Sequence, residues 1–408
     1  MKVHRSFLNG ISIICLSFFL SFLNCGSDVD VQTAKMQPLT DVLTLELTFG
    51  ADEEKLKSEY LLARPSDIAI NNADDIFVVD EDRVKVYDSS GKEKMIIGGP
   101  GEGPGEFISA RSATINEEGY LTVGAVRDFS LFDANYNFIK REAIESNQRL
   151  FKFRRMENKV IATFSPLKIY SFNETDRILQ LDGLIMPSQD PWVVSAKMLF
   201  FESPDTIFQI FYYEPREIVS INRSFAGIPF KGRFFYDVLS NNRLIYTNAE
   251  TDKRSDKNKS EYILHVFSST DGFESTKIIR AYGPVAIPNS SKEQAIDRLS
   301  EPEIGMPEIS KEVRNFVTDK IKEIKYFPPV SGLKVDDNLI FVFTGKKNAE
   351  NHILTEIFDA VTLTYLRSAY FSKYPRIIKN GYAYILATND EGFYVVEKYR
   401  IDPSVYGK

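Results

Sequence analysis

The sequence has 408 residues, of which 50 are Lys or Arg and 57 are Asp or Glu, giving a formal net charge of −7 at pH 7. An acidic chain of this kind lacks the basic surface that nucleic-acid binding requires, so nucleic acid is excluded as a partner. The length is sufficient for one large domain or two ordinary ones.

The N-terminal segment has the features of a secretion signal. Lys2 and Arg5 precede an apolar run from Ile11 to Leu23, which is too short to span a bilayer comfortably. We therefore expect residues 1–24 to be a signal peptide, with an uncleaved anchor helix as the alternative.

The segment Phe22-Leu23-Asn24-Cys25-Gly26 resembles the processing site of bacterial lipoproteins. This resemblance implies that Cys25 becomes the mature N-terminus and carries the lipid that holds the protein at a membrane. A secreted protein with an unpaired Cys25 is the alternative. The other cysteine, Cys15, lies in the signal, so we expect no disulfide in the mature chain. Residues 25–40 are polar and lack periodicity, which predicts a tether.

An internal repeat follows the tether. Residues 66–88 align without gaps on residues 111–133 at a constant offset of 45. Identical residues in the two copies are Asn71 and Asn116, Val78 and Val123, and Asp88 and Asp133. Each copy contains short β-branched and aromatic runs separated by polar turns. A unit of this length with several short strands has the size of one four-stranded propeller blade.

The glycine-rich stretch GGPGEGPGEF, residues 98–107, lies between the two copies. A phosphate-binding loop would require a strand before it and a helix after it. Residues 108–123 show no helical period, and the two prolines remove backbone N–H donors from the stretch. We therefore interpret it as a connection between blades.

Two segments carry a family resemblance: DEDRVKVYDSSGK, residues 80–92, and GEGPGEF, residues 101–107, which precedes a predicted inner strand. With these segments the sequence resembles the NHL-type six-bladed β-propellers, in particular the exported six-bladed propeller lipoproteins. The resemblance implies that Asp80, Arg83 and Asp88 fasten neighbouring strands. In the second copy Gly124 and Ala125 occupy the first of these places, so the same fastening is not expected there.

Later units are recognised by alternation alone. They are Lys159–Thr163 with Ile169–Phe172, Thr206–Tyr212 with Glu217–Ile221, Arg243–Thr247 with Tyr262–Phe267, Asn338–Thr344 with Leu354–Asp359, and Tyr382–Ala387 with Gly392–Tyr399. If Leu43–Phe49 or the C-terminal strands complete a shared blade, six blades result. We predict an all-β fold, a six-bladed β-propeller over residues 41–408, and seven blades remain the alternative.

One segment departs from the strand pattern. Residues 288–325 predict a small helical insertion of two helices, the first with a capping box formed by Ser291 and Gln294 and the second capped by Ser310. This insertion is either a flap packed on the ring or a lid or partner-docking element.

Few residues suggest local chemistry. The sequence contains no metal-protease, paired-cysteine or nucleophile-elbow motif, so no catalytic residue is assigned. His265 lies in a strand pattern, which favours a half-buried strand residue, and His352 lies in a loop. Trp192 is a candidate for stacking on a sugar or peptide, and filling a blade edge is the alternative.

We expect a membrane-tethered, non-catalytic binding or scaffold propeller of the cell envelope, which recognises a protein or glycan through loops at one face of the ring. The alternative is a Ca-dependent hydrolase or lyase with its site at the central channel, built from Glu, Asn and Asp of separate blades. The binding interpretation requires no cofactor or metal. The hydrolase or lyase alternative requires Ca.

Overall fold

The computed structural model describes residues 28–30, 37–116, 118–125, 128–143, 148–156, 159–166, 196–203, 206–213, 218–221, 224–239, 243–256, 259–268, 275–301 and 309–408. Strands make up most of these residues. Cys25, Trp192 and the predicted strand Ile169–Phe172 lie outside the described residues.

The first third of the chain forms two four-stranded antiparallel sheets, blades 1 and 2. The strands are β1 (Asp28–Asp30), β2 (Leu43–Phe49), β3 (Pro65–Ile70), β4 (Ile76–Asp80), β5 (Arg83–Tyr87), β6 (Glu93–Ile97), β7 (Ser112–Ile115), β8 (Leu121–Gly124), β9 (Asp128–Phe132) and β10 (Phe138–Ala143). Blade 1 contains β3 to β6, and blade 2 contains β7 to β10. The predicted 45-residue repeat is therefore a repeat of adjacent blades. A short 3-10 helix, Ser58–Tyr60, precedes blade 1.

The middle of the chain forms blades 3 and 4. The strands are β11 (Gln148–Met156), β12 (Lys159–Pro166), β13 (Ala196–Ser203), β14 (Thr206–Tyr213), β15 (Ile218–Ile221), β16 (Ser224–Gly227), β17 (Phe234–Leu239), β18 (Arg243–Asn248), β19 (Lys253–Ser255), β20 (Ser260–Ser268) and β21 (Ser275–Ala281). Blade 3 contains β11 to β14, and β15 and β16 form a separate hairpin. Blade 4 contains β17, β18, β20 and β21, with β19 and β1 added to it.

The last third contains two helices and blades 5 and 6. The elements are α1 (Asn289–Arg298), α2 (Lys311–Glu323), β22 (Val330–Asp336), β23 (Leu339–Lys347), β24 (Ile353–Asp359), β25 (Tyr365–Phe371), β26 (Ile377–Lys379), β27 (Tyr382–Thr388), β28 (Tyr394–Ile401) and a 3-10 helix, Pro403–Tyr406. Blade 5 contains β22 to β25, and blade 6 contains β26, β27, β28 and β2.

The six sheets form a closed ring. Their innermost strands β3, β7, β11, β17, β22 and β26 contact one another in this order, and β26 contacts β3. β2 pairs antiparallel with β28, with Leu43 opposite Ile401, so the N-terminal strand completes the last blade. The predicted fold class, an all-β six-bladed propeller with a small helical insertion, is confirmed.

The second strand of blade 1 shows why the apolar runs form these sheets. All five residues of β4 are buried, and Ile76, Phe77, Val78 and Val79 are each 0 % exposed. Both faces of the strand are buried because the blade packs between two neighbours. Phe77 and Val79 pack towards blade 2, whereas Ile76 and Val78 pack towards blade 6. A continuous β-branched and aromatic run satisfies both faces.

Two local predictions were wrong. β14 pairs with β13 and β15 pairs with β16, so Thr206–Tyr212 and Glu217–Ile221 are not partners. Both runs have strand composition, and composition does not determine which strands pair. The capping box of Ser291 and Gln294 is also incorrect, because α1 begins at Asn289 after Pro288 and Ser291 lies inside its first turn.

The helices and the β15–β16 hairpin pack together as one subdomain. Ser310 caps α2 as predicted, since its Oγ accepts a 3.3 Å hydrogen bond from the N–H of Val313. Val313, Val317 and Ile321 are fully buried, in a cluster that includes Ala226 of β16. Within the described residues, no helix is long and apolar enough to cross a membrane.

Candidate functional site

The two faces of the ring differ in the segments they carry. Within each blade the strands are antiparallel, so the fourth strand ends at the face where the first strand begins. All connections from one blade to the next therefore lie on that face, which we call the connection face. It also carries the subdomain formed by α1, α2 and the β15–β16 hairpin, because both segments are inserted between blades.

The glycine-rich stretch lies on the connection face between β6 and β7, as predicted. The guanidinium of Arg141 donates hydrogen bonds to the carbonyl oxygens of Glu102 and Gly103, each at 3.0 Å, and to that of Glu106. The stretch therefore directs carbonyl oxygens towards a cation. A phosphate site requires the opposite polarity, with N–H groups directed at an anion. These contacts give the stretch a structural role.

Exposed apolar side chains are concentrated on the connection face. Of the nine large hydrophobic residues that are exposed in the described parts of the chain, five lie there and are 40 % to 56 % exposed. They are Ile108, Tyr326, Tyr374, Phe393 and Tyr394. Among the other four, Leu45, Met95 and Ile139 lie on outermost strands and Val361 lies on the opposite face. Aromatic side chains at a face of this kind can stack on sugars or pack against peptide side chains.

Tyr374 lies between blades 5 and 6 and reaches the inner strand of blade 5. A Cβ atom at Gly332 of β22 would lie 2.2 Å from its hydroxyl oxygen, so the absence of a side chain at Gly332 makes room for the hydroxyl. The ring packs against Phe343 with a centroid distance of 4.9 Å, and Nζ of Lys334 lies 5.5 Å from the ring centroid. The inner end of the residue is covered in this way, although 40 % of its surface is exposed.

Charged side chains surround this tyrosine. Arg376 pairs with Asp67 of β3, with 2.8 Å between Nε and Oδ1, and it also donates to the carbonyl oxygen of Ser66 at 2.7 Å. Lys334 is buried and donates to the carbonyl oxygen of Arg376 at 2.6 Å. These contacts join residues of the innermost strands of blades 1 and 5 to the residue that directly precedes the innermost strand of blade 6.

Burial raises the pKa of Tyr374 to about 12. The positive charges of Arg376 and Arg233 oppose the rise in this pKa, and the negative charge of Asp237 adds to it. Arg233 and Asp237 belong to blade 4, so their charges act on the same hydroxyl from a further blade. The phenol is therefore neutral at ordinary pH.

We call Asp67, Arg233, Asp237, Lys334, Tyr374 and Arg376 the channel-mouth cluster. It contains cations, anions and a neutral phenol on four blades, a set suited to hydrogen bonding with a polar ligand. In the residues that the structure describes, no group of three or more His, Cys, Asp or Glu side chains could hold a metal ion.

The structure describes the two histidines singled out from the sequence, and it does not describe Cys25 or Trp192. His265 is a half-buried strand residue as predicted: its ring stacks on that of Tyr246 with centroids 4.8 Å apart, and Nε2 lies 3.1 Å from the carboxylate of Asp252. His352 lies in a turn, 3.4 Å from Glu350. The proposed lipid-attachment residue Cys25 and the ligand candidate Trp192 lie outside the described residues.

Of the residues expected to fasten strands in blade 1, Asp80 does so, but its cationic partner is not the expected Arg83. Asp80 is fully buried and accepts hydrogen bonds from the N–H groups of Ala63 and Arg64, at 3.0 and 2.5 Å, which fastens the chain entering the blade. Its cationic partner is Lys85, at 2.7 Å. Asp88 accepts from the N–H of Lys92 at 3.0 Å within its own turn.

Sequence reasoning missed the channel-mouth cluster. Its members are separated by up to 309 residues and share only one feature, a position on an innermost strand or in the connection that leads to it. An alignment of all six blades would have located those positions, but only the first two blades have a visible repeat.

Comparison with known proteins identifies the family. Residues 55–271, which are 217 of the 408 residues, match a family model described as 6-bladed beta-propeller. The chain belongs to this family. A search of curated proteins gave no significant match.

Several solved structures are similar at low identity. An exported protein from Bacteroides fragilis is 12 % identical with a TM-score of 0.45, and the match covers 92 % of this chain and all of that one. A gluconolactonase from Xanthomonas campestris is 11 % identical with a TM-score of 0.40, covering 83 % and 86 %. A WD40 domain from Neurospora crassa is 10 % identical with a TM-score of 0.39, covering 90 % and 98 %. Likeness at this level does not bear on the function of this chain.

Proposed function

We propose that this protein is an NHL-type propeller lipoprotein of the cell envelope, a non-catalytic binding or scaffold protein held at the membrane by a lipid on Cys25. Its ligand is a protein or a glycan that binds the connection face. The observation that supports this most directly is the location of the channel-mouth cluster among exposed aromatic side chains on one face of the ring.

The two kinds of side chain would act together in binding. Tyr326, Tyr374, Phe393 and Tyr394 offer exposed ring surface for stacking or packing. Arg233 is exposed on the same face and offers hydrogen-bond donors. Amphipathic aromatic rings beside charged groups are typical of surfaces that bind polar macromolecules.

Binding is tested with the full-length protein in detergent, immobilised and exposed to purified envelope polysaccharides and envelope proteins. We expect the double variant Tyr374→Ala, Arg233→Ala to lower the affinity for the bound species at least tenfold. The matched control is Val361→Ala, which removes an exposed apolar side chain from the opposite face and should leave the affinity unchanged. Equal affinities for the double variant and the control would contradict the proposal.

The membrane anchor is tested separately by fractionation of cells. Cys25→Ser should move the protein from the membrane fraction to the soluble fraction, because lipid chains supply the membrane affinity. Cys15→Ser, which changes the cysteine inside the predicted signal, should not alter the fractionation. Retention of the Cys25→Ser variant at the membrane would contradict lipidation.

A further inference from the structure

The segment before β2 is hydrogen-bonded to the outer rim of the ring. β1 pairs in parallel with β21, the outermost ring strand of blade 4, with Asp28 opposite Lys277. Further along, the N–H of Leu39 donates to Ser368 at 2.9 Å, and its carbonyl oxygen accepts from Tyr370 at 2.8 Å.

These contacts follow the order of the blades. Ser368 and Tyr370 belong to β25, the outermost strand of blade 5, and β2 then becomes the outermost strand of blade 6. The segment thus contacts the edges of three consecutive blades. An outermost strand has unpaired N–H and C=O groups, and an added strand satisfies them. The described part of the predicted tether is therefore joined to the ring before β2 begins.

We propose that this rim-bound segment determines which side of the ring faces the membrane: the rim of blade 4 lies next to the lipid surface and blade 1 lies farthest from it. This inference rests on the lipid attachment at Cys25 proposed above. Three residue steps separate Cys25 from Asp28, a distance of at most about 11 Å.

A tether attached to the ring only at β2 would not hold one particular blade next to the bilayer. If only β2 held the segment, a chain of eighteen residue steps would separate Cys25 from Leu43, with a root-mean-square length of roughly 23 Å. A compact domain of this size has a radius of gyration of about 21 Å and is about 54 Å across, so such a chain allows blade 6 and the blades beside it to approach the bilayer in turn. Pairing at β1 removes most of that freedom. Blade 1 is three blades from blade 4 in the ring of six, which places it on the opposite side.

The test compares two labelled positions on full-length lipidated protein in phosphatidylcholine vesicles that contain a head-group quencher. Ala281→Cys places a fluorophore on the exposed end of β21 in blade 4, and Met95→Cys places it on the outermost strand of blade 1, where Met95 is 39 % exposed. Labelling is specific because Cys25 is acylated and Cys15 lies in the signal. We expect quenching at position 281 to be at least threefold stronger than at position 95.

A backbone variant tests the role of β1. Val29→Pro removes an N–H and fixes φ, which disfavours the strand, and should reduce the difference in quenching between the two positions. Val29→Ile should retain the difference. Equal quenching in vesicle-bound protein with the native Val29, or a difference that Val29→Pro does not reduce, would overturn the proposed orientation while leaving lipidation intact. Failure to bind vesicles would contradict the lipid anchor and the orientation together.

Discussion

The carboxylate of Asp67 accepts a 2.8 Å hydrogen bond from Nε of Arg376, although the two residues are 309 positions apart. Asp67 lies on the innermost strand of blade 1, and Arg376 directly precedes the innermost strand of blade 6. The pair joins the first and last blades at the channel, whereas pairing of β2 with β28 completes blade 6 at the rim. Closure therefore occurs at both the inner and the outer radius of the ring.

Removing the inner contact should weaken the fold. Asp67 is 4 % exposed and also accepts from the N–H of Ala113 at 3.3 Å, so Asp67→Ala leaves two donors without their acceptor. We expect a loss of about 1–3 kcal/mol in the free energy of unfolding, measured by urea denaturation. Asp52→Ala, which removes an exposed pair with Lys55 and a hydrogen bond from the N–H of Glu54, is the control and should cost less than Asp67→Ala. Similar results for both variants would show that Asp67 does not close the ring.

Two adjacent glycines in the connection between blades 1 and 2 should respond differently to alanine. Gly98 has a φ of +71°, and a Cβ atom there would lie 2.3 Å from the ring of Phe107 and 2.5 Å from the carbonyl oxygen of Gly105. Gly98→Ala should therefore lower the free energy of unfolding by at least about 2 kcal/mol.

Gly99→Ala is the matched control for this prediction. No heavy atom lies within 4 Å of a Cβ at Gly99, and its backbone is outside the left-handed region. We expect little change in the thermal unfolding of this variant. A large loss for Gly99→Ala, or none for Gly98→Ala, would contradict the packing of Phe107 described above.

The parts of the fold that the sequence predicted correctly depend on local patterns. The offset of 45 residues aligns β4 with β8 and β5 with β9 because both copies retain the same alternation of apolar runs and polar turns. The channel-mouth cluster has no local pattern. Tyr374 and Arg376 lie in a connection between blades, and their neighbours Asp67 and Asp237 lie on strands that no sequence spacing relates to them.

The contacts of Asp80 in blade 1 show a second limit of prediction from the sequence. The resemblance indicated Asp80 and Arg83, but the buried cation at Asp80 is Lys85. At the offset of 45 residues, Asp80 and Lys85 correspond to Ala125 and Ser130 in blade 2. Both charges are therefore replaced together. A single buried charge without its partner is strongly destabilising, whereas replacement of the whole pair is tolerated. The repeat preserves the backbone and changes the pair as a unit.

Ser310 and Ser291 provide a test of helix capping in the insertion. Because Oγ of Ser310 accepts from the N–H of Val313, Ser310→Ala should cost about 1 kcal/mol and should increase amide hydrogen exchange in α2. Ser291 lies inside α1, so Ser291→Ala should be neutral or slightly stabilising. An equal loss for the two variants would indicate that α1 also uses a side-chain cap.

Tyr246 should contribute to alkaline unfolding. Burial, with a smaller effect of the Asp252 charge, raises the pKa of Tyr246 from 10.0 to about 12. Between these values the unfolded chain releases a proton that the folded chain retains, so stability falls as pH rises. The slope is at most about 1.4 kcal/mol per pH unit, and the half-buried position of Tyr246 reduces it.

Tyr246→Phe isolates this contribution because it removes the ionisable group and retains the ring that stacks on His265. Between about pH 10 and about pH 12, urea unfolding should show that the variant loses about 1–2 kcal/mol less stability than the native protein. Tyr326→Phe makes the same change at a residue that is 54 % exposed and is the matched control. If Tyr246→Phe followed the native pH profile, ionisation of Tyr246 would have no part in alkaline unfolding. In that case the stacked pair would contribute through packing alone.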